Sequence, residues 1–339
     1  MNYNPFQGKH GPLLIAEIGG NHEGNFEYAK KLTQLAIETD VDFVKFQIYT
    51  GDSLVSKVEN PVRNKHFKKF ELHPEQHIEL AEMIQAAGIG YMSSVWDMSA
   101  LDWIDQYIPV YKIGSGDMTA YSVLRQTAEL GKPMIVSTGL SEEQEVLEMV
   151  DFIQSIDERY KQKEYLALLQ CTSMYPITNG DAHLAVMRRL RELTGLTIGY
   201  SDHTEGDKAL FYAVAMGAEI LEFHFTDSRE HKQFRDHKVS LTPDEVKNLI
   251  KEIQLINTYK GNAIKQPLPI EIDNQHEVTF RRAVYPARDL SKGTVLTASD
   301  LVTLRPNHGI DARDFHKLIG KKLKMDVKAH QKLEWEILE

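Results

Sequence analysis

Residues 13–24 read Leu-Leu-Ile-Ala-Glu-Ile-Gly-Gly-Asn-His-Glu-Gly. An apolar run that ends in a carboxylate and then glycines is the pattern of a buried strand entering a tight loop. Two architectures open in this way. A doubly wound open sheet would place a G-x-G-x-x-G phosphate turn here, but Gly19-Gly20-Asn21-His22-Glu23-Gly24 lacks that spacing. An α/β barrel needs no such turn, only seven more strands. Apolar runs at Phe43–Gln47, Gly90–Ser94, Val110–Ile113, Pro133–Ser137, Leu166–Gln170, Thr197–Tyr200 and Ile220–His224 supply them, after Leu13–Ile18. Helical periodicity fills the intervals, for example at Phe26–Thr39, Pro74–Ala87, Glu142–Ile156 and Ala182–Leu193. Eight βα units in about 255 residues match a TIM (β/α)8 barrel.

Local signals agree with this arrangement. Ser141-Glu-Glu-Gln144 and Thr242-Pro-Asp-Glu245 read as capping boxes, the second with Pro243 at the first helical position. Gly88, Gly131 and Gly217 fall where helices should end. Residues 1–256 therefore form the expected barrel. Residues 257–279, polar and containing Lys265-Gln-Pro-Leu-Pro269, read as a linker. Residues 280–339 read as a small separate domain that gains stability by docking.

With 42% hydrophobic and 26% charged residues among 339, the chain is globular rather than disordered. A formal net charge of −10 opposes general nucleic-acid binding, while leaving room for a local anion pocket. The single cysteine, Cys171, excludes an intramolecular disulfide framework and fits a reducing compartment. No signal peptide or apolar run of membrane-spanning length is evident, so a cytoplasmic location without membrane partners is expected.

Barrel enzymes build their sites at the C-terminal ends of the strands. Here those ends carry Glu17, Lys45 with Gln47, Ser93-Ser94, Lys112 with Ser115, Ser137, Gln170-Cys171-Thr172-Ser173, Ser201-Asp202-His203, and Glu222 with His224. One such residue alone would be an ordinary loop polar group. Lysines, serines and glycine-exposed backbone together describe an anion pocket, suited to phosphate. His203 and His224 end neighbouring strands and could share a divalent metal with an open coordination sphere. His22, His231 and His237 read equally well as loop histidines.

At these residues the chain resembles the sialic acid synthase family, the phosphoenolpyruvate-dependent nonulosonate synthases. The matching motifs are IAEIGGNHEG at 15–24, VKFQ at 44–47, YKIGSGD at 111–117, STG at 137–139, QCTSMYP at 170–176, GYSDHTEG at 199–206, EFHFT at 222–226, DHKVSL at 236–241 and RPNHG at 305–309. The resemblance spans nearly the whole chain and implies a barrel followed by an antifreeze-like (SAF-type) domain. It implies a transferase that condenses phosphoenolpyruvate with an N-acyl aminohexose such as N-acetylmannosamine. By the same resemblance Mn²⁺ or Mg²⁺ would be held by His203 and His224. Lys45, Lys112, Ser115, Ser137, Ser173 and Tyr175 would contact phosphoenolpyruvate. Glu17, Gln47, Tyr175 and Asp236 would serve the sugar and proton handling. Arg305 would reach a partner's site in a domain-swapped homodimer.

The chain also departs from the family pattern. Asp117 and Ser173 stand where some members have Glu and Asn. Ser93-Ser94-Val95-Trp96 replaces a Ser-Thr-Pro-Phe stretch, and Phe234-Arg235 replaces a Gly-Pro with one residue more after His224. Asp117, Trp96 and the 227–236 loop would shape the sugar side, leaving legionaminate-, pseudaminate- or 9-phosphate-forming synthases as alternatives. Other phosphoenolpyruvate-dependent aldol-type synthases lack the C-terminal module. A non-catalytic sugar-binding protein would not need metal and phosphate ligands together.

Overall fold

The computed structural model describes residues 4–339. The chain divides into two compact units, the first ending at Gly261 and the second spanning Asn262–Glu339.

The first unit holds eight parallel strands: β1 Gly11–Glu17, β2 Phe43–Ile48, β3 Gly90–Val95, β4 Tyr111–Ile113, β5 Met134–Ser137, β6 Leu166–Cys171, β7 Thr197–Asp202 and β8 Ile220–His224. Ladders join them in the order β3-β2-β1-β8-β7-β6-β5-β4. Only β3 and β4 lack a ladder between them, so the barrel is nearly closed. A two-residue strand, Gln7–Gly8, pairs antiparallel with the start of β1. The helices that follow the strands are α1 Phe26–Ile37, α2 Pro74–Ala86, α3 Leu101–Ile104, α4 Tyr121–Glu129, α5 Glu143–Ile156, α6 Ala185–Thr194, α7 Lys208–Ala215 and α8 Pro243–Lys260.

Strand periodicity sorts the side chains. Leu13, Ile15, Phe43, Met92, Val110, Ile135, Ala167, Leu169 and Ile220 form one buried cluster inside the barrel, with Phe6 joining them. Their neighbours in sequence, such as Leu14, Ala16, Val44, Tyr91, Val136, Leu168 and Leu221, belong to the larger core against the helices. Because successive side chains alternate between faces, the next inward positions are Glu17, Lys45, Lys112, Ser137, Cys171 and Glu222. The barrel interior is apolar in its lower part and polar where the strands end.

Three local expectations are corrected. Helix α5 is capped by Glu142, not Ser141; the Glu142 backbone N–H donates to Glu145 at 2.8 Å. The Ser141 hydroxyl is turned instead to the Gly139 carbonyl, 3.2 Å away, so the helix starts one residue later. Helix α8 runs to Lys260 and so occupies residues 257–260 of the stretch expected as linker; Gly261 then breaks it with φ +54°. Helix α6 begins at Ala185 rather than Ala182. The Thr242 box is present, with Glu245 accepting from both the Thr242 backbone N–H and its hydroxyl. The connection from β2 to α2, unassigned by periodicity, contains the helix Pro61–Phe70, capped by Asn60 and begun by Pro61.

The second unit pairs β9 Ala283–Pro286 antiparallel with β10 Leu301–Leu304. Around them Val284, Leu290, Leu296, Ile310, Leu318, Leu323, Val327, Leu333 and Leu338 make a small core of their own. Most of its remaining chain is turns.

The barrel interior has no slack. A Cβ at Gly199 of β7 would lie 2.3 Å from the Ile220 carbonyl oxygen and 2.6 Å from a Leu169 methyl. Gly199→Ala should therefore destabilise the first unit by about 1–3 kcal/mol through overpacking. Urea unfolding followed by circular dichroism would show it, and an unchanged midpoint would mean that β7 and β8 can separate freely.

Candidate functional site

The strand ends of the barrel open into a cavity of about 1190 Å³. It is lined by Glu17, Lys45, Gln47, Lys112, Ser115, Asp117, Ser137, Ser173, Tyr175, His203, His224 and Asp236. Thus every candidate residue in the barrel comes to one cavity. Arg305 belongs to the second unit, where its guanidinium lies 5.2 Å from the Phe280 ring centroid.

Four buried charges organise the floor. Lys45 Nζ is 2.6 Å from Glu17 and 3.2 Å from Glu222, while Lys112 Nζ is 3.2 Å from the other oxygen of Glu222. Lys112 also donates to the Ser137 hydroxyl at 2.7 Å, and Gln47 donates to Glu17 at 2.7 Å. All four charged side chains are at most 6% exposed. Burial pushes the Glu17 carboxyl up to about 7, against the pull of Lys45. Burial acts on Glu222 too, but Lys112 and Lys45 outweigh it and hold that carboxyl below the usual range. Burial lowers the Lys112 ammonium, with Glu222 opposing. Glu222 was read from the sequence only as a strand-end residue with no role assigned, although it stands two residues before His224 and so faces the same way.

A wall of hydroxyls stands beside the lysines. The Gly139 N–H donates to the Ser115 hydroxyl at 3.0 Å. A Cβ at Gly139 would lie 2.3 Å from the Ser173 hydroxyl and 2.8 Å from that of Ser115. Only bare backbone lets the ends of β4, β5 and β6 meet there. Two ammonium groups beside three hydroxyls are chemically suited to hold an anion.

Two histidines line the same cavity, with ring centroids 5.4 Å apart. His203 Nδ1 is 2.7 Å from the Thr172 carbonyl oxygen, which only accepts, so the proton sits on Nδ1 and the Nε2 lone pair is free. Asp202 fixes this loop by accepting from Tyr200 and from the Thr204 backbone and hydroxyl. Burial brings His203 down to about 4 and takes His224 well below its ordinary value, so both rings are neutral. His224 Nδ1 is buried without a hydrogen-bond partner among the described residues. Two neutral imidazoles, one with an orphaned nitrogen, fit a divalent cation whose other ligands come from substrate and water. Among the described residues no group of three or more His, Cys, Asp or Glu side chains is arranged to hold a metal.

The Tyr175 ring packs 4.0 Å from that of His203 and 5.5 Å from that of His224. Burial raises the Asp236 carboxyl to about 6, against the Arg235 guanidinium; it also raises the Asp117 carboxyl. Trp96 and Phe234, expected from the sequence on the sugar side, also line the cavity; Tyr49, just after β2, and Phe67 and Phe70 of the helix Pro61–Phe70 join them and were not legible in the sequence.

A barrel with a buried lysine–carboxylate floor and a two-histidine wall defines an enzyme acting on a small anion and a second, polar substrate. The NeuB family model matches residues 32–265 and the SAF domain model residues 281–339. The chain belongs to the NeuB family. An N,N'-diacetyllegionaminic acid synthase of Legionella pneumophila is 35% identical over 96% of this chain and 94% of its own length. The human N-acetylneuraminate-9-phosphate synthase is 29% identical over 98% and 94%. A crystal structure of N-acetylneuraminic acid synthetase from Leptospira borgpetersenii in complex with citrate superposes with TM-score 0.71 and 28% identity, covering 78% of this chain and 90% of that one. The chain is accordingly a transferase of the kind that condenses phosphoenolpyruvate with a sugar.

Glu222 is the common partner of both lysines, so its neutralisation leaves two buried cations short of charge. Glu222→Gln should cost about 3–5 kcal/mol of stability. In urea unfolding the Glu222→Gln, Lys112→Met double variant should lose less than the two singles summed. Additive losses would show that the pair is not coupled.

Proposed function

We propose that the enzyme joins phosphoenolpyruvate to a neutral N-acyl aminohexose, N-acetylmannosamine or a related sugar, and releases phosphate by C–O cleavage. The observation that carries this reading is that one cavity brings two buried lysines and three serine hydroxyls together with two histidines. Lys45 and Lys112, with the hydroxyls of Ser115, Ser137 and Ser173, neutralise the carboxylate and phosphate of phosphoenolpyruvate and hold its C3 toward the sugar aldehyde. A divalent cation, Mn²⁺ or Mg²⁺, held by His203 and His224 would polarise that aldehyde.

The bonds then change in two stages. C3 attacks the aldehyde carbon, and the aldehyde oxygen takes up one proton. Water adds to C2 and loses one proton; the C2–O bond to phosphate then breaks, the C2 hydroxyl becomes the keto carbonyl, and its proton leaves with the phosphate, which keeps the bridging oxygen. Glu17, held between Lys45 and Gln47 at the end of β1, is the group for this proton exchange. Gln47, Tyr175 and Asp236 orient the sugar, with Asp117 beside Trp96.

The aromatic side chains Tyr49, Phe67, Phe70, Trp96 and Phe234 would pack apolar acyl or deoxy substituents, while Arg63, His66 and Lys69 in the same lining would hold a phosphate. A 6-deoxy diacetamido sugar, as the names of the legionaminic acid synthases imply for those proteins, is the second reading the aromatic set supports. Phosphate release from phosphoenolpyruvate should be measured with N-acetylmannosamine, its 6-phosphate and 6-deoxy diacetamido sugars. Turnover is expected with a neutral sugar, to vanish with chelator and to return with Mn²⁺. Turnover confined to the 6-phosphate would replace the neutral reading, and full turnover in chelator would remove the metal.

Among the described residues no helix is long and apolar enough to cross a membrane, and a cytoplasmic setting suits this chemistry. For assembly, the reading is a homodimer in which Arg305 of one chain completes the partner's sugar site. Arg305→Ala and Lys112→Met proteins are each expected to be nearly inactive. After subunit exchange a mixed dimer should regain part of the activity, because one of its sites combines an intact barrel with an intact arginine. Exchange without recovery would assign Arg305 to its own chain.

A further inference from the structure

We propose that Asn21 is a positioning residue for the reaction: without touching the cavity, it fixes where Asp236 stands relative to His224 and thereby governs how well the site takes its sugar. This inference rests on the roles given above to those two residues.

Asn21 lies in the loop after β1, fully buried and outside the cavity lining. Its amide nitrogen donates to the Phe225 carbonyl and to the Ser240 hydroxyl, both at 2.8 Å. The Phe225 carbonyl only accepts, which settles the orientation of the amide. The amide oxygen is buried with no hydrogen-bond partner among the described residues. An unpaired buried acceptor costs stability, so the contribution of this side chain lies in what its nitrogen joins. Each partner adjoins a site residue. Phe225 directly follows His224, and its backbone N–H donates to the Glu17 carbonyl at 2.8 Å. Ser240 donates its own proton to the Asp236 carbonyl at 2.7 Å. The Leu241 N–H, one residue on, donates to the His224 carbonyl at 2.7 Å and closes the ring.

This ring matters because of where the sheet stops. The ladder between β1 and β8 ends at the pair Glu17 and His224, and Asn21 makes its bonds in the next layer, where the chain has left the sheet. The Asp236 carboxylate lies 3.9 Å from His224 Nδ1, near but without a hydrogen bond. Their spacing is therefore set by the backbones that carry them, and those backbones meet at Asn21. A hydroxyl has a single proton. By donating to Ser240, Asn21 leaves that proton for Asp236. Lys45, Lys112 and Ser137 stand on β2, β4 and β5 and share none of these bonds. Loss of Asn21 should thus be felt by the sugar and not by phosphoenolpyruvate, whereas a prop of the whole barrel would disturb both alike.

The test uses the full-length enzyme with Mn²⁺ and the panel sugar that turns over fastest. Asn21→Ala should raise the sugar KM at least fivefold while the phosphoenolpyruvate KM stays within twofold. Ser240→Ala, which removes only the link onward to Asp236, should move the sugar KM in the same direction by about half that factor. It also carries the test alone if Asn21→Ala does not fold. A double-mutant cycle then asks whether Asn21 acts through Asp236. In an Asp236→Asn background, Asn21→Ala should change kcat/KM for the sugar by less than twofold. A sugar KM unchanged in both single variants, both KM values rising together, or full additivity in the cycle would overturn the inference while leaving the parent reading intact. Wild-type inactivity with every sugar would overturn the parent reading, and this one with it.

Discussion

Two ammonium groups and two carboxylates lie inside the barrel with almost no contact with solvent, and the site depends on that grouping. Moving a charge out of water costs several kcal/mol after relaxation, and one partner rarely compensates it. Glu222 meets the cost by serving both lysines, one with each oxygen, and Glu17 completes the set from β1. The arrangement leaves Lys45 and Lys112 fixed before any substrate arrives. An incoming anion then meets dipoles and charges that need not reorganise, which is the condition under which electrostatic stabilisation is strongest.

The constraint propagates downward through strand parity. Glu222 and His224 can both face inward only because Ile220 does, and Lys45 only because Phe43 does. A one-residue slip of β1, β2, β4 or β8 would send a charge into the apolar layer between strands and helices. The apolar floor of Leu13, Ile15, Phe43, Met92 and Ile135 is therefore also a register device. Glycines serve the same end where chains must touch: Gly199 lets β7 approach β8 below the site, and Gly139 lets three hydroxyl-bearing strand ends converge within it.

This logic explains what the sequence disclosed. Strands two-sidedly buried read as continuous apolar runs, so the barrel order and the residues at its rim were legible from residues 13–224 alone. Glu222 escaped notice as a working group because a glutamate at a strand end resembles any solvated carboxylate; only its distance to both lysines distinguishes it. The helix Pro61–Phe70 is missed for a different reason. Its Lys- and Arg-rich sequence has little apolar periodicity, and it is held by the buried Asn64, which donates to the Gly51 and Val55 carbonyls, and by the buried Phe70. At Ser141 two adjacent residues could each cap α5, and the hydroxyl's competing bond to Gly139 decided between them. Similarly, the polar tail of α8 looks like linker because its last turn is solvated on all sides.

The two halves of the cavity are thus built on different foundations. The anion half stands on strand ends, where ladders and a packed interior hold each group and a substitution disturbs the whole barrel. The sugar half stands on connections: the helix Pro61–Phe70 after β2, the turn carrying Trp96 after β3, and the 227–239 segment after β8. Loops accept insertions and exchanges at little cost to the core. The extra residue and the Phe234-Arg235 pair after β8 are such an exchange, absorbed by ties to α1 and α8 that never reach the strands. The identity of the sugar is accordingly written in the segments least governed by periodicity, which is why the reaction could be read from the strands and the sugar could not.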